Sequence, residues 1–227
     1  MSFYEQLQTD TAREREYLMS APIIGRAMQQ EVVLEEYVAF LAQAYHHVKH
    51  TVPLLMATGA RIGFDQEWLR EAIAEYIEEE TGHQQWILND IEHCGFDGQK
   101  VAESLPNFAT ELMVAYAHDT INRVNPLGFF GMVQVLEGTS IQIADYAADA
   151  IQSKLGLPDQ AFSYLRSHGA LDQEHVKFFA NLMDRIESEA DRRQILHCAK
   201  RFYHLYGDVF RSIDADQAQA FRKSSAA

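Results

Sequence analysis

The sequence contains little cysteine, proline or glycine, and it has no long hydrophobic run. Its two cysteines, Cys94 and Cys198, lie far apart and form no C-x-x-C motif. This pattern excludes a disulfide scaffold and a zinc ribbon, and it fits a reducing compartment. The first residues, MSFYEQLQTDTARERE, are too polar for a signal peptide, and no apolar stretch could span a bilayer. We therefore expect a cytoplasmic protein that makes no membrane contact.

Basic residues are also few. The chain has 19 Lys and Arg against 33 Asp and Glu, which gives a formal net charge of −14. Proteins that bind nucleic acids need clustered basic side chains, so the composition excludes a general nucleic-acid partner. Most of the carboxylates are expected on a solvated surface, which leaves a minority that can bind metal.

The scarce helix-breaking residues divide the chain into helical segments. Five prolines and twelve glycines separate stretches of helical periodicity, and alternating β-branched runs are lacking. The sequence predicts an all-α bundle of seven to eight helices, in a single domain over residues 1–227, with a frayed tail from about residue 214. The predicted helices cover residues 2–18, 22–31, 34–60, 66–94, 107–122, 127–153, 159–187 and 189–213.

The predicted helix 159–187 carries polar residues in the middle of its apolar face. In the stretch SHGALDQEHVKFF, His168, Asp172 and His175 are spaced four and three residues apart, so they share one face of a helix. Apolar residues continue the same face on both sides. We therefore expect the three polar side chains to point inwards, where they need hydrogen bonds or a metal ion.

Two other predicted helices repeat this pattern. Glu80 and His83 interrupt the apolar stripe of helix 66–94, and Glu137 interrupts that of helix 127–153. Neither stripe carries a Lys or Arg to neutralise the carboxylates, which would repel one another if they were buried together. Glu79 replaces Glu80 as the candidate if the helix is rotated slightly.

Together, the three stripes predict a site for two metal ions. Two divalent cations would neutralise three carboxylates and leave one positive charge, which a bridging oxide or hydroxide could offset. Mixed carboxylate and imidazole ligands suit iron, with manganese as the alternative. Di-iron carboxylate bundles combine lone glutamates with Glu-x-x-His pairs, and here His168 takes the place of one lone carboxylate. A buried Asp–His network closed by hydrogen bonds is the competing interpretation, but it does not explain Glu137. The predicted ligands are Glu80, His83, Glu137, His168, Asp172 and His175.

A cluster of histidines lies on the predicted helix 34–60, in the stretch AYHHVKHTVP. His46, His47 and His50 flank an apolar stripe. We expect partly exposed positions for them, beside Lys49. The alternative is that they form a pocket wall, contact a substrate or supply an extra metal ligand. The candidate pocket residues are Tyr45, His47, His50, Tyr76 and Glu79.

The segments EEETGHQQW, VLEGTS and HGALDQEH, in this order on successive predicted helices, resemble the heme-oxygenase-like diiron oxidases. That family belongs to a superfamily with the TenA thiaminases and the pyrroloquinoline-quinone synthase protein. The resemblance covers most of the chain and implies a helical bundle with an internal pocket. It also implies that the six predicted ligands bind two irons, which activate O2 to oxidise a small organic substrate. Known members act on fatty acids, amino acids and aromatic precursors, so the resemblance names no single substrate.

Three other functions compete with the oxidase prediction. A metal-free TenA-like hydrolase of thiamine-related compounds needs a nucleophilic thiol, and neither cysteine lies on a ligand-bearing stripe. Haem binding would use His46, His47 or His50 as the axial ligand. A non-catalytic iron-binding protein needs the metal site but no substrate cavity. For the oligomeric state, we consider a homodimer that forms through exposed helix faces.

Overall fold

A computed structural model describes residues 1–170 and 172–223, and the side chains of residues 168–175 lie outside this description. The described chain is almost entirely helical, which confirms the all-α prediction, and its one β pairing is a bridge between Phe96 and Arg222. The α-helices are α1 Phe3–Asp10, α2 Ala12–Met19, α3 Pro22–Met28, α4 Leu34–Val48, α5 Thr51–Arg61, α6 Glu67–Glu80, α7 His83–His93, α8 Gly98–Glu103, α9 Phe108–Asp119, α10 Phe130–Leu155, α11 Ser163–Ala170, α12 Asp172–Asp184 and α13 Glu189–Arg211. Short 3-10 helices cover Phe64–Gln66, Pro126–Phe129, Asp159–Ala161 and Ala215–Phe221, and Thr120–Val124 forms a π-helical turn.

Several of the predicted helices contain more than one helix of the structure. The break between α4 and α5 follows from Pro53, in the first turn of α5. Proline has no N–H to bond the carbonyl of Lys49, and its ring would crowd that carbonyl in a continuous helix. The short helix α8 was not predicted, and its first turn is capped by the Asp97 side chain, which accepts from Lys100 N at 3.1 Å. The predicted helices that each contain two α-helices are 2–18, 34–60, 66–94 and 159–187.

The longest helix, α10, belongs to two apolar clusters at once. Its first half contributes Phe130 and Val135 to a cluster that also includes residues of α13. Its second half contributes Ala144 and Ile151 to a cluster with Tyr37 and other residues of α4. Burial of apolar surface in both clusters fixes the position of this helix along its whole length. The carboxylate-bearing middle of α10 is therefore held between two packed regions.

The beginning of α10 packs directly on the backbone of α13. A Cβ atom added at Gly131 would lie 2.5 Å from Ala199 N and 2.8 Å from Ile195 O. No real Cβ contact with a backbone atom is that short, so only glycine allows the two helices to approach this closely. This contact sets the spacing of the two longest helices in the described chain.

The first two helices pack against the last ones. Tyr4 N donates to Asp184 Oδ1 at 2.8 Å, and the Tyr17 hydroxyl donates to Asp208 Oδ1 at 2.6 Å. The Arg211 guanidinium donates to the carbonyl of Tyr17 at 2.6 Å and stacks on the Tyr17 ring. Helices α1 and α2 are therefore joined to α12 and α13 by hydrogen bonds as well as by apolar packing.

The segment that follows α13 is ordered, so the predicted fraying from about residue 214 is wrong for residues 214–223. The 3-10 helix Ala215–Phe221 begins at Asp214, whose side chain accepts from Asp216 N at 2.9 Å. Ala218 and Phe221 are buried in the cluster that includes α4. Two apolar anchors in a polar stretch were enough to dock it. Residues 224–227 lie outside the described part.

Candidate metal centre

An internal cavity of about 830 Å³, its opening included, brings together ionisable residues from four different helices. We call it the site cavity. Its apolar walls come mainly from α5 and α10, and the described residues that line it include no Lys or Arg. Several carboxylates that share one internal cavity repel one another, and a cation bound between them would relieve this repulsion. The ionisable and phenolic residues that line the site cavity are His47, Tyr76, Glu80, His83, Glu137, Tyr164 and Tyr206.

Glu80 and His83 meet at a helix break rather than on one helix face. Helix α6 ends at Glu80, and α7 begins at His83 after Gly82, whose φ of 98° lies in the left-handed region. His83 Nδ1 lies 3.1 Å from Glu80 Oε2, and the imidazole is stacked 4.2 Å from the Trp86 ring. The Glu-x-x-His spacing therefore pairs its two members through a glycine turn, which the prediction of a continuous helix over 66–94 missed.

Glu137 enters the site cavity from the middle of α10, beside the Tyr76 hydroxyl of α6. Burial raises the pKa of Tyr76 strongly, and the charge of Glu137 is the next largest cause. The phenol therefore stays protonated across the physiological range and can donate to a carboxylate. The Tyr76 ring is held by an edge contact to Phe178, with ring centroids 5.4 Å apart.

Sequence reasoning missed two tyrosines of the site cavity, Tyr164 and Tyr206. Burial raises the pKa of both hydroxyls, and for Tyr164 the neighbouring Tyr206 and Glu80 add to this effect. Tyr164 precedes the predicted ligand His168 by four residues, so helical spacing could have indicated it. Tyr206 lies on α13 with no ionisable motif around it, so no comparable signal marked it. Its ring makes an edge contact with His47 at 5.6 Å.

The prediction of partly exposed histidines is wrong for His46 and His47, which are 1% and 2% exposed. Helix α4 is covered on several sides, by α7, α9 and the final 3-10 helix, so positions beside its apolar stripe are buried too. His47 reaches the site cavity. His46 instead contacts Ser104 Oγ through Nε2 at 2.9 Å and Lys49 Nζ through Nδ1 at 3.2 Å. Because an ammonium group only donates, Nδ1 must accept and Nε2 must carry the proton.

The stability of the protein is expected to fall in mild acid because of His46. Burial, followed by the charge of Lys49, lowers the pKa of His46 to about 4, against about 6.5 in an unfolded chain. The unfolded state therefore takes up the proton first, and stability decreases as the pH falls from about 6.5 to 4, by on the order of 3 kcal/mol. Urea unfolding between these pH values should show the stability deficit of His46→Gln shrinking with acidity. His93→Gln, at an exposed histidine, is the matched substitution for comparison, and a deficit of His46→Gln that stays constant across these pH values would contradict this role.

Three of the candidate pocket residues lie outside the lining of the site cavity as the described residues define it. Tyr45 packs edge-on against His46, with Lys49 Nζ 5.1 Å from its ring centre. The His50 ring lies 5.8 Å from the His118 ring, away from the site cavity. Glu79 contributes negative charge near Tyr76 but does not line the site cavity. Of the candidate pocket residues, His47 and Tyr76 line it.

The second half of the predicted ligand set lies outside the described side chains. His168 falls within α11, and Asp172 and His175 fall within α12, but their side chains are among residues 168–175. Among the side chains that the structure does describe, no three of His, Cys, Asp and Glu are grouped closely enough to hold a metal. The described donors, Glu80, His83 and Glu137, are carboxylate oxygens and an imidazole, and this chemistry fits iron or manganese. Those three donors share the site cavity, while the other three stay a prediction.

Neither cysteine has the location or the pKa that a nucleophilic thiol needs. Burial raises the pKa of the Cys94 thiol to about 12, and burial also raises that of Cys198. A nucleophilic cysteine needs a lowered pKa and access to its substrate. The described lining of the site cavity contains neither residue.

Residues 38–207 match the family described as iron-containing redox enzymes, and the chain belongs to this family. No curated protein is similar enough in sequence to count as a relative. None of the described helices has the length and apolar character of a membrane span.

Solved structures share the fold at low sequence identity. A Shewanella denitrificans domain of unknown function with a heme oxygenase-like fold superposes with a TM-score of 0.82 at 21% identity, covering 94% of this chain and 92% of its own. A TenA homologue from Pseudomonas syringae pv. tomato gives 0.76 at 11% identity, with the same coverage of 94% and 92%. Heme oxygenase-1 from a Synechocystis cyanobacterium, in complex with heme, gives 0.73 at 12% identity, covering 97% and 96%. The predicted heme-oxygenase-like fold is confirmed, and so is the resemblance to the heme-oxygenase-like and TenA proteins.

Proposed function

We propose that the protein is a non-haem diiron oxidase or oxygenase that uses O2 to oxidise a small organic substrate. The observation that carries this proposal is the convergence of Glu80, His83 and Glu137 in one internal cavity whose described lining has no Lys or Arg. Membership of a family of iron-containing redox enzymes supports the choice of iron. Manganese remains the alternative metal, because it takes the same ligand types.

The proposed ligands combine the described donors with the three predicted on α11 and α12. In this arrangement Glu80 and His83 bind from the α6–α7 turn, and Glu137 binds from α10 on a different helix. The three carboxylates of the full set would then be offset by two divalent cations. The contact between Glu80 and His83 positions both donors before metal arrives, which lowers the entropy that binding has to overcome.

Bound iron would supply the reaction with O2, and the protein would supply the ligands and a dry cavity. Phe129, Met132 and Leu136 line the site cavity, and their apolar side chains would disfavour water there. Tyr76 stays protonated beside Glu137 and can orient that carboxylate by donating to it. His47 also lines the site cavity, and its ring packs edge-on against Tyr206. These residues position groups around the site, while the substrate and O2 are the proposed partners.

The alternative functions receive less support from the same cavity. A TenA-like hydrolase without metal needs a thiol in the pocket, and both cysteines are buried elsewhere with raised pKa values. A non-catalytic iron-binding protein would not need the empty space beside the ligands. Of the three histidines considered for haem binding, His46 and His50 do not line the site cavity, while His47 does, so addition of haem is one of the tests that separate these functions.

Anaerobic titration with Fe(II), followed by rapid mixing with O2, tests the proposal. We expect two irons per chain and a transient visible absorption in the wild type. Glu80→Gln should lose iron, while Glu79→Gln and the exposed Glu78→Gln should retain it, because only Glu80 of the three lines the site cavity. Asp172→Ala should behave like Glu80→Gln if the predicted half of the ligand set is correct.

The outcomes separate the competing functions. Failure of the wild type to bind iron would sink the oxidase proposal, and a pocket thiol labelled by iodoacetamide would then favour the hydrolase. A Soret band after addition of haem would favour haem binding. Two bound irons without any O2-dependent absorption would favour a non-catalytic iron-binding protein.

A further inference from the structure

A second cavity adjoins the site cavity. It has about 710 Å³ of empty space, its opening included, and it lies between α3, α4, α10, α11 and α13. We call it the apolar chamber. Ser140, Tyr164 and Tyr206 line both spaces, so these three side chains form a wall that the two cavities share. A ligand lying in the apolar chamber would therefore have one end against the wall of the site cavity.

Five residues with hydroxyl groups line the apolar chamber, and the hydroxyls of three of these, excluding Tyr164 and Tyr206, are bonded to the protein backbone. The hydroxyls of Thr139 and Ser140 donate to the carbonyls one turn earlier on α10, at 2.6 Å and 3.0 Å. The Tyr37 hydroxyl donates to the carbonyl of Ala161 at 2.7 Å. Hydroxyls whose protons are used in this way cannot also donate to a ligand. The chamber therefore contains a few polar side chains, but the hydroxyls of Tyr37, Thr139 and Ser140 are not available to donate hydrogen bonds to a bound ligand.

The one charged residue among the described lining of the apolar chamber is also engaged. Glu36 accepts from both terminal nitrogens of Arg26, at 2.5 Å and 2.6 Å, and from Val33 N at 3.0 Å. An ionic group of a ligand placed in this chamber would lose its hydration without gaining a free partner. The chamber therefore discriminates against charge.

The space exists because α10 and α3 present small side chains to it. Ala144 and Ala147 are three residues apart on α10, and Ala27 faces them from α3. Three residues are close to one helical turn, so the two alanines lie on one face. Branched aliphatic residues at these positions would fill the chamber, as they do in an ordinary helix interface.

We propose that the apolar chamber binds the hydrocarbon part of the substrate, and that the reacting end of the same molecule lies in the site cavity. The class of ligand is an amphiphile with one uncharged alkyl portion and one polar end. A porphyrin fits less well, because no histidine is among the described residues that line the chamber. The role of the chamber in a reaction rests on the proposed function, whereas binding of the alkyl portion does not require iron.

Calorimetric titration of the purified full chain with straight-chain primary alcohols, from butanol to decanol, tests this. Each added methylene should strengthen binding about fourfold until the chamber is full. Ala147→Leu should weaken binding of octanol by roughly 50-fold, since leucine occupies the space of about three methylenes. Ala150→Leu is the matched control: it lies on the same helix at 7% exposure, against 9% for Ala147, and does not line the chamber.

A second variant keeps the test independent of any folding defect in Ala147→Leu. Ile143→Ala enlarges the chamber from the same helix, so the chain length at which affinity stops rising should increase. Affinity that does not grow with chain length, or an equal loss in Ala147→Leu and Ala150→Leu, would overturn the proposal. A Soret band on haem addition that Ala147→Leu abolishes would overturn it in favour of a porphyrin site.

Failure of this proposal and failure of the proposed function give different results. If the protein binds two irons per chain but its affinity for alcohols does not depend on their alkyl length, the proposal of a hydrocarbon-binding chamber is wrong and the oxidase proposal stands. If affinity rises fourfold per methylene but the protein does not bind iron, the oxidase proposal is wrong and the protein is one that binds alkyl groups.

Discussion

Replacing Glu137 by glutamine is expected to abolish O2-dependent activity and to weaken iron binding by more than about 100-fold. Mutations of residues that merely support a metal ligand already weaken binding by about 10- to 100-fold, so loss of a ligand charge should exceed that. Glu137 is the one carboxylate that α10 contributes to the site cavity, and it faces the α6–α7 donors from a separate helix. Iron content after anaerobic loading and oxygen uptake measured with an electrode would both report the change.

A carboxylate removed elsewhere on the same helix provides the control. Asp145 is exposed on α10 and lines neither cavity, so Asp145→Asn should bind iron and consume O2 as the wild type does. Circular dichroism of both variants would verify that the helical content is unchanged. Normal iron loading in Glu137→Gln would show that the lone glutamate is not a ligand, and the site would then have to be built from α6, α7, α11 and α12.

Gly131→Ala is expected to destabilise the protein by about 3 kcal/mol or more, although alanine favours helix over glycine by about 1 kcal/mol. The added methyl group would meet Ala199 N, Ile195 O and the carbonyl carbon of Cys198, all closer than 3.0 Å. Overpacking usually costs about 1–3 kcal/mol when side chains can move aside. Here all three atoms are backbone, so α10 and α13 themselves must separate. Urea unfolding monitored by circular dichroism measures the difference.

The same substitution two turns further along α10 should have the opposite sign. A Cβ at Gly138 would lie 3.6 Å from Gln134 Nε2 and 3.9 Å from the Tyr203 hydroxyl, which are ordinary contacts. Gly138→Ala should therefore stabilise the protein by about 0.5–1 kcal/mol through helix propensity alone. Equal effects of the two substitutions would contradict the close approach of α10 to α13.

Much of the fold follows from helical periodicity, but the interruptions of the helices do not. Apolar spacing alone runs on through Pro53 and Gly82, since neither residue disturbs the pattern of buried positions. The structure breaks there for backbone reasons, a missing N–H in one case and a positive φ in the other. The sequence also missed the ordered 3-10 helix that contains Ala218 and Phe221, because two buried apolar residues in a polar stretch are too few to make a periodic pattern.

Half of the candidate site could be located from the sequence, at positions where a charged or polar residue interrupts an apolar stripe. This rule identified Glu80, His83 and Glu137, which the structure brings into one cavity. It correctly predicted that Glu80 and His83 lie close together, but for the wrong reason, because a turn joins them and they do not share one helix face. It could not find Tyr206, because an aromatic residue on a core stripe looks like ordinary core packing. Nor could it separate His47, which lines the cavity, from His46, which does not, because both flank the apolar stripe and periodicity does not show which neighbouring element covers each flank.

The hydrogen bonds that join the first two helices to the last two also order events in time. A ribosome adds about 5–20 residues per second, so the partners of Tyr4 and Tyr17 are made about 10–40 s after those tyrosines. Until then α1 and α2 are two short amphipathic helices whose native partners do not yet exist, and helices of that length are barely stable alone. Helices α1 and α2 can therefore complete their native contacts only after α12 and α13 have been synthesised.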